Sequence, residues 1–339
     1  MCPELFEIPF IHLTIKSYGL MMVIGFLAAV SLIRHLSRNI TPDPQLITNA
    51  ALYSLVGGVV GARLFYVVHH FDQFHQNPIS VFAIWEGGLE LLGGVILAIA
   101  VILFYMLYHK LPIRRYFDIL AIGLMLALAF GRIGCFLNGC CYGKPTKLPW
   151  GVRFPYNSLA YLSQVNADLE RKRYDPQLKL PPGDYVGFTG ANGKWYPKYY
   201  EDLTEKQKIE VTEGKYRCLP VHPTQLYSSA NAAFWCLVLY LFWRRAQKAG
   251  TSKSSGKIFT KPGCTFALMF IVYGITRFLM EFLRDDNPFE YAWWAVYKGG
   301  TVSQNLGIYM TIFGVALMAI FQIMKPKVVV IGKNSKIKK

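Results

Sequence analysis

Charge is scarce in this chain. Asp, Glu, Lys and Arg make up only 17% of its 339 residues, against about 25% in a typical soluble domain. Acidic residues are the rarer sign, 20 against 36 basic. That excludes the two soluble domains the length would otherwise imply. The cysteine count is odd, at seven, which argues against a complete disulfide framework. No basic segment followed by a cleavage site opens the chain, so no removable signal peptide is expected. No internal repeat is visible, which weighs against many secondary-transporter folds.

What is abundant is apolar and clustered. Hydrophobic residues reach 53%, and they gather in long runs separated by short charged stretches, the membrane pattern. Runs long enough to span fall near 17–36, 47–69, 89–108, 116–138, 224–243, 264–282 and 306–324. The expected fold class is therefore an all-α polytopic membrane protein, with about seven transmembrane helices and an external polar head insertion. Residues 1–143 would carry helices one to four, 144–221 the head, 222–325 helices five to seven, and 326–339 a basic cytoplasmic tail. The stretch "TSKSSGK" reads as a flexible inner loop. Glycines in "GGVVGAR" of the second run invite close backbone approach.

The net charge of +16 would raise nucleic-acid binding in a soluble protein. Here the Lys and Arg sit in loops and the tail, so orientation is the reading and no nucleic-acid partner is expected. With the N-terminus outside, seventeen Lys and Arg fall in inside segments and two or three outside. The excess of positive charge inside puts the C-terminus in the cytoplasm, with the basic tail along the anionic leaflet among membrane lipids.

Ionisable residues within spans are costly and are candidate functional residues. Arg63 follows three glycines in the second run, where it either binds a ligand or reaches the interface as a helix-end arginine. Arg132 stands in "GRIGCFLNGCCYGKPT", with glycines around it and Asn138 six residues on. A polar, glycine-rich helix end at the membrane surface suits an anionic headgroup. In "YGITRFLMEFLRDD", Tyr273, Arg277, Glu281 and Arg284 share one helix face at 100° per residue. Glu281 can pair with either arginine, lowering the cost of burial. Two arginines from different helices would grip a phosphate, because guanidinium meets it bidentately. In "VHPTQLYSS", Pro223 and Thr224 mark a helix start, with His222, Gln225 and Tyr227 near the outer surface.

Cys135, Cys140 and Cys141 form the one cysteine cluster in the sequence. Their C-x4-CC spacing is not a standard zinc pattern, and a zinc reading would need His222 as fourth ligand. No metal is expected on this reading. A disulfide on the oxidising side and tight packing of small residues are the other readings.

Taken in order, the motifs resemble the prolipoprotein diacylglyceryl transferase family. "SYGLMMVIGFLAA", "VGARLFYV", "WEGGLELLGG", "GRIGCFLNGCCYGKPT…PWGVRFP", "HPTQLY", "YGITRFLMEFLRDD" and "SQNLGIYM" cover nearly the whole bundle and omit the head. The resemblance implies transfer of a diacylglyceryl group from phosphatidylglycerol to the lipobox cysteine of a preprolipoprotein, with release of glycerol phosphate. It implies a bacterial inner-membrane protein with seven spans, an outward N-terminus and no cofactor. It makes Arg132 and Arg277 phosphate-handling residues, and matches Tyr18, Asn138, Gly143, Tyr273 and Glu281 to family site positions. On that basis Arg132, Arg277, Tyr18 and Glu281 are the expected catalytic residues. Arg132, Asn138, Gly143, Arg63, His222, Gln225, Tyr273 and Arg284 are the expected substrate-binding residues.

Three positions depart from the resemblance. Leu92 stands where many members carry a histidine proposed as base, Cys135 where asparagine is usual, and Cys140 where an acidic residue is usual. Glu90 and His222 are then the candidate bases. Two rival functions follow from these departures: a membrane thiol oxidoreductase or metal-binding protein using the cysteine trio, and a non-catalytic lipid-binding protein.

Overall fold

The computed structural model describes residues 4–8, 13–38, 40–41, 43–74, 78–83, 87–190, 193–251 and 259–324. The basic tail 326–339 and most of the 251–257 loop lie outside the described residues. Among those described, the elements in chain order are β1 (Glu4–Ile8), β2 (Leu13–Lys16), α1 (Ser17–Ser37), α2 (Gln45–His69), α3 (Phe71–Phe74), α4 (Leu91–Tyr108) and α5 (Ile113–Asn138). Then follow α6 (Leu159–Val165), α7 (Pro182–Tyr185), β3 (Val186–Thr189), β4 (Trp195–Pro197), α8 (Glu205–Thr212), α9 (Thr224–Thr251), α10 (Cys264–Met280) and α11 (Val302–Ile323). Seven of these helices are long and apolar enough to cross a membrane. Their apolar side chains are largely exposed, as on Val56, Val68, Leu91 and Leu107, which is how a helix meets lipid. The chain is an all-α polytopic membrane protein with two small antiparallel hairpins, β1–β2 and β3–β4, that the apolar pattern did not reveal.

The chain packs as two compact units. The first comprises 1–27, 124–240 and 267–317; the second comprises 28–123, 241–266 and 318–339. In the second unit α2 and α4 meet through glycine: a Cβ on Gly61 would lie 2.5 Å from the Gly93 carbonyl oxygen, so neither backbone tolerates a side chain there. Asp118 of α5 accepts hydrogen bonds from Gly263 N (2.7 Å) and Phe266 N (3.0 Å). It thereby satisfies free amides at the start of α10.

In the first unit, residues 144–221 fold into a lobe with its own core. Phe154, Tyr161, Val165, Leu180, Tyr185, Val211 and Val221 are buried together, each large side chain contributing roughly 1.5–3 kcal/mol. A fully buried amide side chain in it is matched on both sides. Gln164 Nε2 donates to Leu219 O (3.2 Å) and its Oε1 accepts from Leu219 N (2.8 Å), so its burial costs little. Entry and exit of the lobe are zipped together: Gly143 N donates to His222 O (3.1 Å), His222 N to Lys144 O (3.0 Å) and Thr146 N to Pro220 O (2.8 Å).

Candidate functional site

All but one of the expected site residues fall in the first unit. Helix α5 carries Arg132 inward and ends at Asn138, which is exposed. The end is a Schellman cap. Gly139 N donates to Phe136 O (3.2 Å) and Cys140 N donates back to Cys135 O (3.2 Å), with Gly139 at φ +75°, the left-handed conformation this cap requires. The cap folds Cys140 over Cys135, since those two cap positions come into contact. Cys141 is left-handed too, at φ +61°, and turns the chain back once more. The three sulfurs consequently lie within 4.8 Å of one another. His222 is not among the ligand atoms gathered there; its Nδ1 lies 3.5 Å from the Tyr227 hydroxyl.

This turn is held from outside. The Gln225 side chain donates to Cys140 O and Thr224 Oγ1 to Cys141 O, both at 2.7 Å. Gln225, buried almost completely, is thus a positioning residue for the loop. Gly143 lies where three backbones meet: a Cβ there would sit 2.6 Å from His222 O and 2.8 Å from Leu283 O. Only glycine fits without moving main chain. Tyr18 of α1 lies over Gly134, whose missing Cβ would come within 3.2 Å of the tyrosine ring.

Helix α10 supplies the second half. Arg277 Nη1 lies 3.0 Å from Glu281 Oε2, and its Nη2 donates to Ser303 Oγ at 2.6 Å. The α-helix stops at Met280 and tightens into a 3-10 turn over Glu281–Leu283. Arg284 is therefore reached at i+3 from Glu281 (3.9 Å) rather than along a continuing α-helical face. Arg284 is buried and pairs bidentately with Asp286, at 2.9 and 2.7 Å. Burial opposes its charge, and the Asp286 pair more than restores it, holding the guanidinium above its ordinary value. Asn287 Nδ2 donates to Glu281 Oε1 (2.5 Å) and to Ser303 Oγ (3.3 Å). Glu281, 5% exposed, is the anion about which these groups are arranged.

The two halves meet at a small cavity. It is lined by Arg132 of α5, Ser228 and Asn231 of α9, and Tyr273, Thr276 and Arg277 of α10. Arg132 also points Nη1 at Cys141 Sγ, 3.8 Å away. The Cys141 thiol is held below its ordinary value by hydrogen bonds from Cys135 and Cys140, aided by Arg284 and Arg132. A second cavity of about 360 Å³ lies beneath the lobe, lined by Lys144, Arg171, Arg173, Glu281, Arg284 and Asp285 among others. Here Arg173 Nη1 lies 2.8 Å and Arg171 Nε 3.3 Å from the Asp285 carboxylate.

Ser303, Asn287, Asp286, Ser228 and Asn231 were not singled out in the sequence. A signal existed for the first, since Ser303, Gln304 and Asn305 are polar residues at the head of an apolar run. Arg63 belongs to the second unit. Its guanidinium donates to the carbonyls of Val81 (2.8 Å), Gly87 (2.7 Å), Gly88 (3.0 Å) and Ser80 (2.5 Å). That set holds two loop segments together and leaves Arg63 buried. In the same unit Glu90 is paired with His69 Nδ1 at 2.7 Å, and Leu92 is 63% exposed.

The family model described as Prolipoprotein diacylglyceryl transferase matches residues 3–320. A phosphatidylglycerol–prolipoprotein diacylglyceryl transferase of Clostridium tetani is 29% identical over 288 residues, 84% of this chain and 86% of that protein. The protein of that name from Burkholderia lata is 28% identical over 315 residues, 90% of each chain. The one from Nostoc sp. is 27% identical over 276 residues, 81% of this chain and 76% of that protein. The match spans the arginine-lined cavity and the seven apolar helices to within a few residues of the end of α11, and the chain belongs to the prolipoprotein diacylglyceryl transferase family of multi-pass bacterial membrane proteins.

Proposed function

We propose that this protein transfers the diacylglyceryl group of phosphatidylglycerol to the lipobox cysteine thiol of preprolipoproteins and releases glycerol phosphate. The observation that carries the reading is the cavity where Arg132 and Arg277, from two helices, face one small space with Tyr273. In the reaction the peptide sulfur attacks the glyceryl carbon that bears the phosphate. A C–S bond forms, the C–O bond breaks, and its electron pair leaves on the phosphate oxygen. Two guanidinium groups aimed at that oxygen stabilise the charge as it develops. Glu281, Ser303 and Asn287 fix Arg277 so that little reorganisation is needed at the moment of reaction. The thiol's proton is the remaining requirement. A free thiol has an ordinary pKa near 8.5, so a few per cent is thiolate at neutral pH. On this reading Tyr18, Asn138, Gly143, His222, Gln225 and Arg284 would contact the substrates or hold the loop after α5, and the N-terminus would face outward.

A second reading, thiol or metal chemistry in place of lipid transfer, is favoured by the three converging sulfurs. Purified protein with labelled phosphatidylglycerol and a lipobox peptide separates the readings. Lipid appearing on the peptide, with equimolar glycerol phosphate and no transfer to a peptide whose cysteine is serine, supports the transferase. Lipid binding without glycerol phosphate release by folded protein overturns it. Transfer that survives Arg132→Ala and Arg277→Ala would refute the arginine mechanism.

A further inference from the structure

At the end of α5 the chain makes a cage that the mechanism above does not use. The sulfurs of Cys135, Cys140 and Cys141 lie within 4.8 Å of one another. Thiolates around a tetrahedral zinc ion, with Zn–S near 2.3 Å, stand about 3.8 Å apart, so small side-chain rotations close the gap. The backbone beneath them is already committed. The Schellman cap places Cys140 over Cys135, the left-handed Cys141 directs the third sulfur back, and Gln225 and Thr224 hold both following carbonyls. A left-handed conformation costs a non-glycine residue about 1 kcal/mol or more, and here it serves to converge three ligand atoms. Among the described residues no fourth Cys, His, Asp or Glu joins the group. Three protein ligands and an open fourth position is the arrangement of catalytic rather than structural zinc sites. Three thiolates and one divalent cation leave a net negative charge, and Arg132 lies 3.8 Å from Cys141 Sγ to offset it.

We propose that Cys135, Cys140 and Cys141 bind a thiophilic divalent cation of the zinc type, whose fourth position takes the cysteine thiol of the protein substrate. The identity of the occupant rests on the transferase reading; the metal site does not. A thiol that coordinates such an ion is deprotonated outright, its proton passing to solvent. The bound sulfur keeps a lone pair for the C–S bond while the phosphate oxygen takes the electrons of the C–O bond, and the metal stays in one oxidation state. This supplies the thiolate without a proton acceptor at Leu92. Arg132, which lines the arginine cavity and lies 3.8 Å from Cys141 Sγ, adjoins both the metal site and the phosphate site.

The test uses the full-length protein, purified with reductant, stripped with chelator and titrated with Co²⁺ as a spectroscopic substitute for Zn²⁺. One equivalent should give a thiolate-to-cobalt charge-transfer band that Zn²⁺ abolishes. Cys135→Ser and Cys141→Ser should each lower affinity at least tenfold, while Cys236→Ser keeps the band. Cys140→His, which retains a ligand atom, should bind with a shifted spectrum, so loss by misfolding is distinguished from loss of a ligand. A lipobox peptide should then change the band and its Cys→Ser analogue should not. Absence of the band with all three thiols titrated as free, or isolation of the cluster as a disulfide, overturns the site. A band unmoved by the peptide, or full transfer by metal-free protein, overturns the fourth-position role and leaves the transferase reading intact. Loaded protein that takes up the peptide thiol but transfers no lipid refutes the transferase reading and leaves the metal site standing.

Discussion

Arg277 and Ser303, on different helices, share a hydrogen bond of 2.6 Å at the wall of the arginine-lined cavity. The same guanidinium touches Glu281 at 3.0 Å through its other terminal nitrogen. One planar group thus serves two partners through two terminal nitrogens held in a rigid fork, a geometry that the compact, rotating ammonium of a lysine does not reproduce.

Arg277→Lys should therefore keep the charge and lose the orientation. We expect transfer to fall by about 100-fold, the worth of one or two charge-assisted hydrogen bonds of roughly 1.5–3 kcal/mol each. Insertion should be unchanged. Transfer rates and membrane yield, measured on the same preparations, check this; a rate near wild type refutes the fork.

Glu281→Gln removes the anion between Arg277 and Arg284 while keeping the acceptor for Asn287. Breaking a buried pair from one side leaves an uncompensated charge and costs about 3–5 kcal/mol. We expect a clearly lowered Tm in detergent together with at least tenfold weaker transfer. An unchanged Tm would mean that Asp286 alone suffices to hold the cluster.

The lobe carries a pH-sensitive latch. Burial pushes the Asp168 carboxyl up, but Arg171 and Arg173 pull it down further, and it ends below its ordinary 3.8. A depressed carboxyl adds stability above the unfolded value and loses it as pH falls through the folded one. Asp285 moves the other way: burial raises it, with Arg173 and Arg171 only partly offsetting that. Asp168→Asn should therefore lower Tm at pH 7, by the equivalent of about 1 kcal/mol. The gap to wild type should close as pH drops below 3.8. A gap that persists at acid pH would assign Asp168 a role other than its charge.

Orientation is checked with reporters. A cytoplasm-active reporter fused after Lys339 should report, and one inserted at Gly193 in the lobe should not. The reverse pattern would overturn the count of Lys and Arg on which the outward N-terminus rests.

The spans were legible because a membrane helix announces itself by composition alone. Their ends were less so. Helix α11 begins at Val302, one turn before the apolar run at Leu306, because Ser303, Gln304 and Asn305 turn toward protein rather than lipid. Hydropathy has no means of knowing what a polar residue faces. Arg132, Arg277 and Glu281 stood out because charge in an apolar run is expensive. Asn287 and Asp286 did not, since they lie in an ordinary polar loop; Asp286 pairs locally with Arg284, and Asn287 reaches Glu281 and Ser303 only where the chain turns back after the helix. The cysteine trio shows the same limit: C-x4-CC matches no familiar spacing, and the convergence depends on a helix cap rather than on the interval. Arg63 met the criterion that found Arg132, yet its donors go to four backbone carbonyls. An intramembrane arginine marks a buried acceptor, whether that acceptor belongs to a ligand or to the chain itself.

The zipped neck at Gly143, Lys144 and His222 has a bearing on how this architecture varies. Because the two chain ends are joined there, α5 and α9 meet the same short paired segment whatever is inserted beyond it. Lengthening an excursion whose ends already meet costs only about 0.6 kcal/mol per doubling. Beyond the segment that carries Arg171 and Arg173, the lobe can thus change length at little entropic cost while the helices that hold the arginines stay in register.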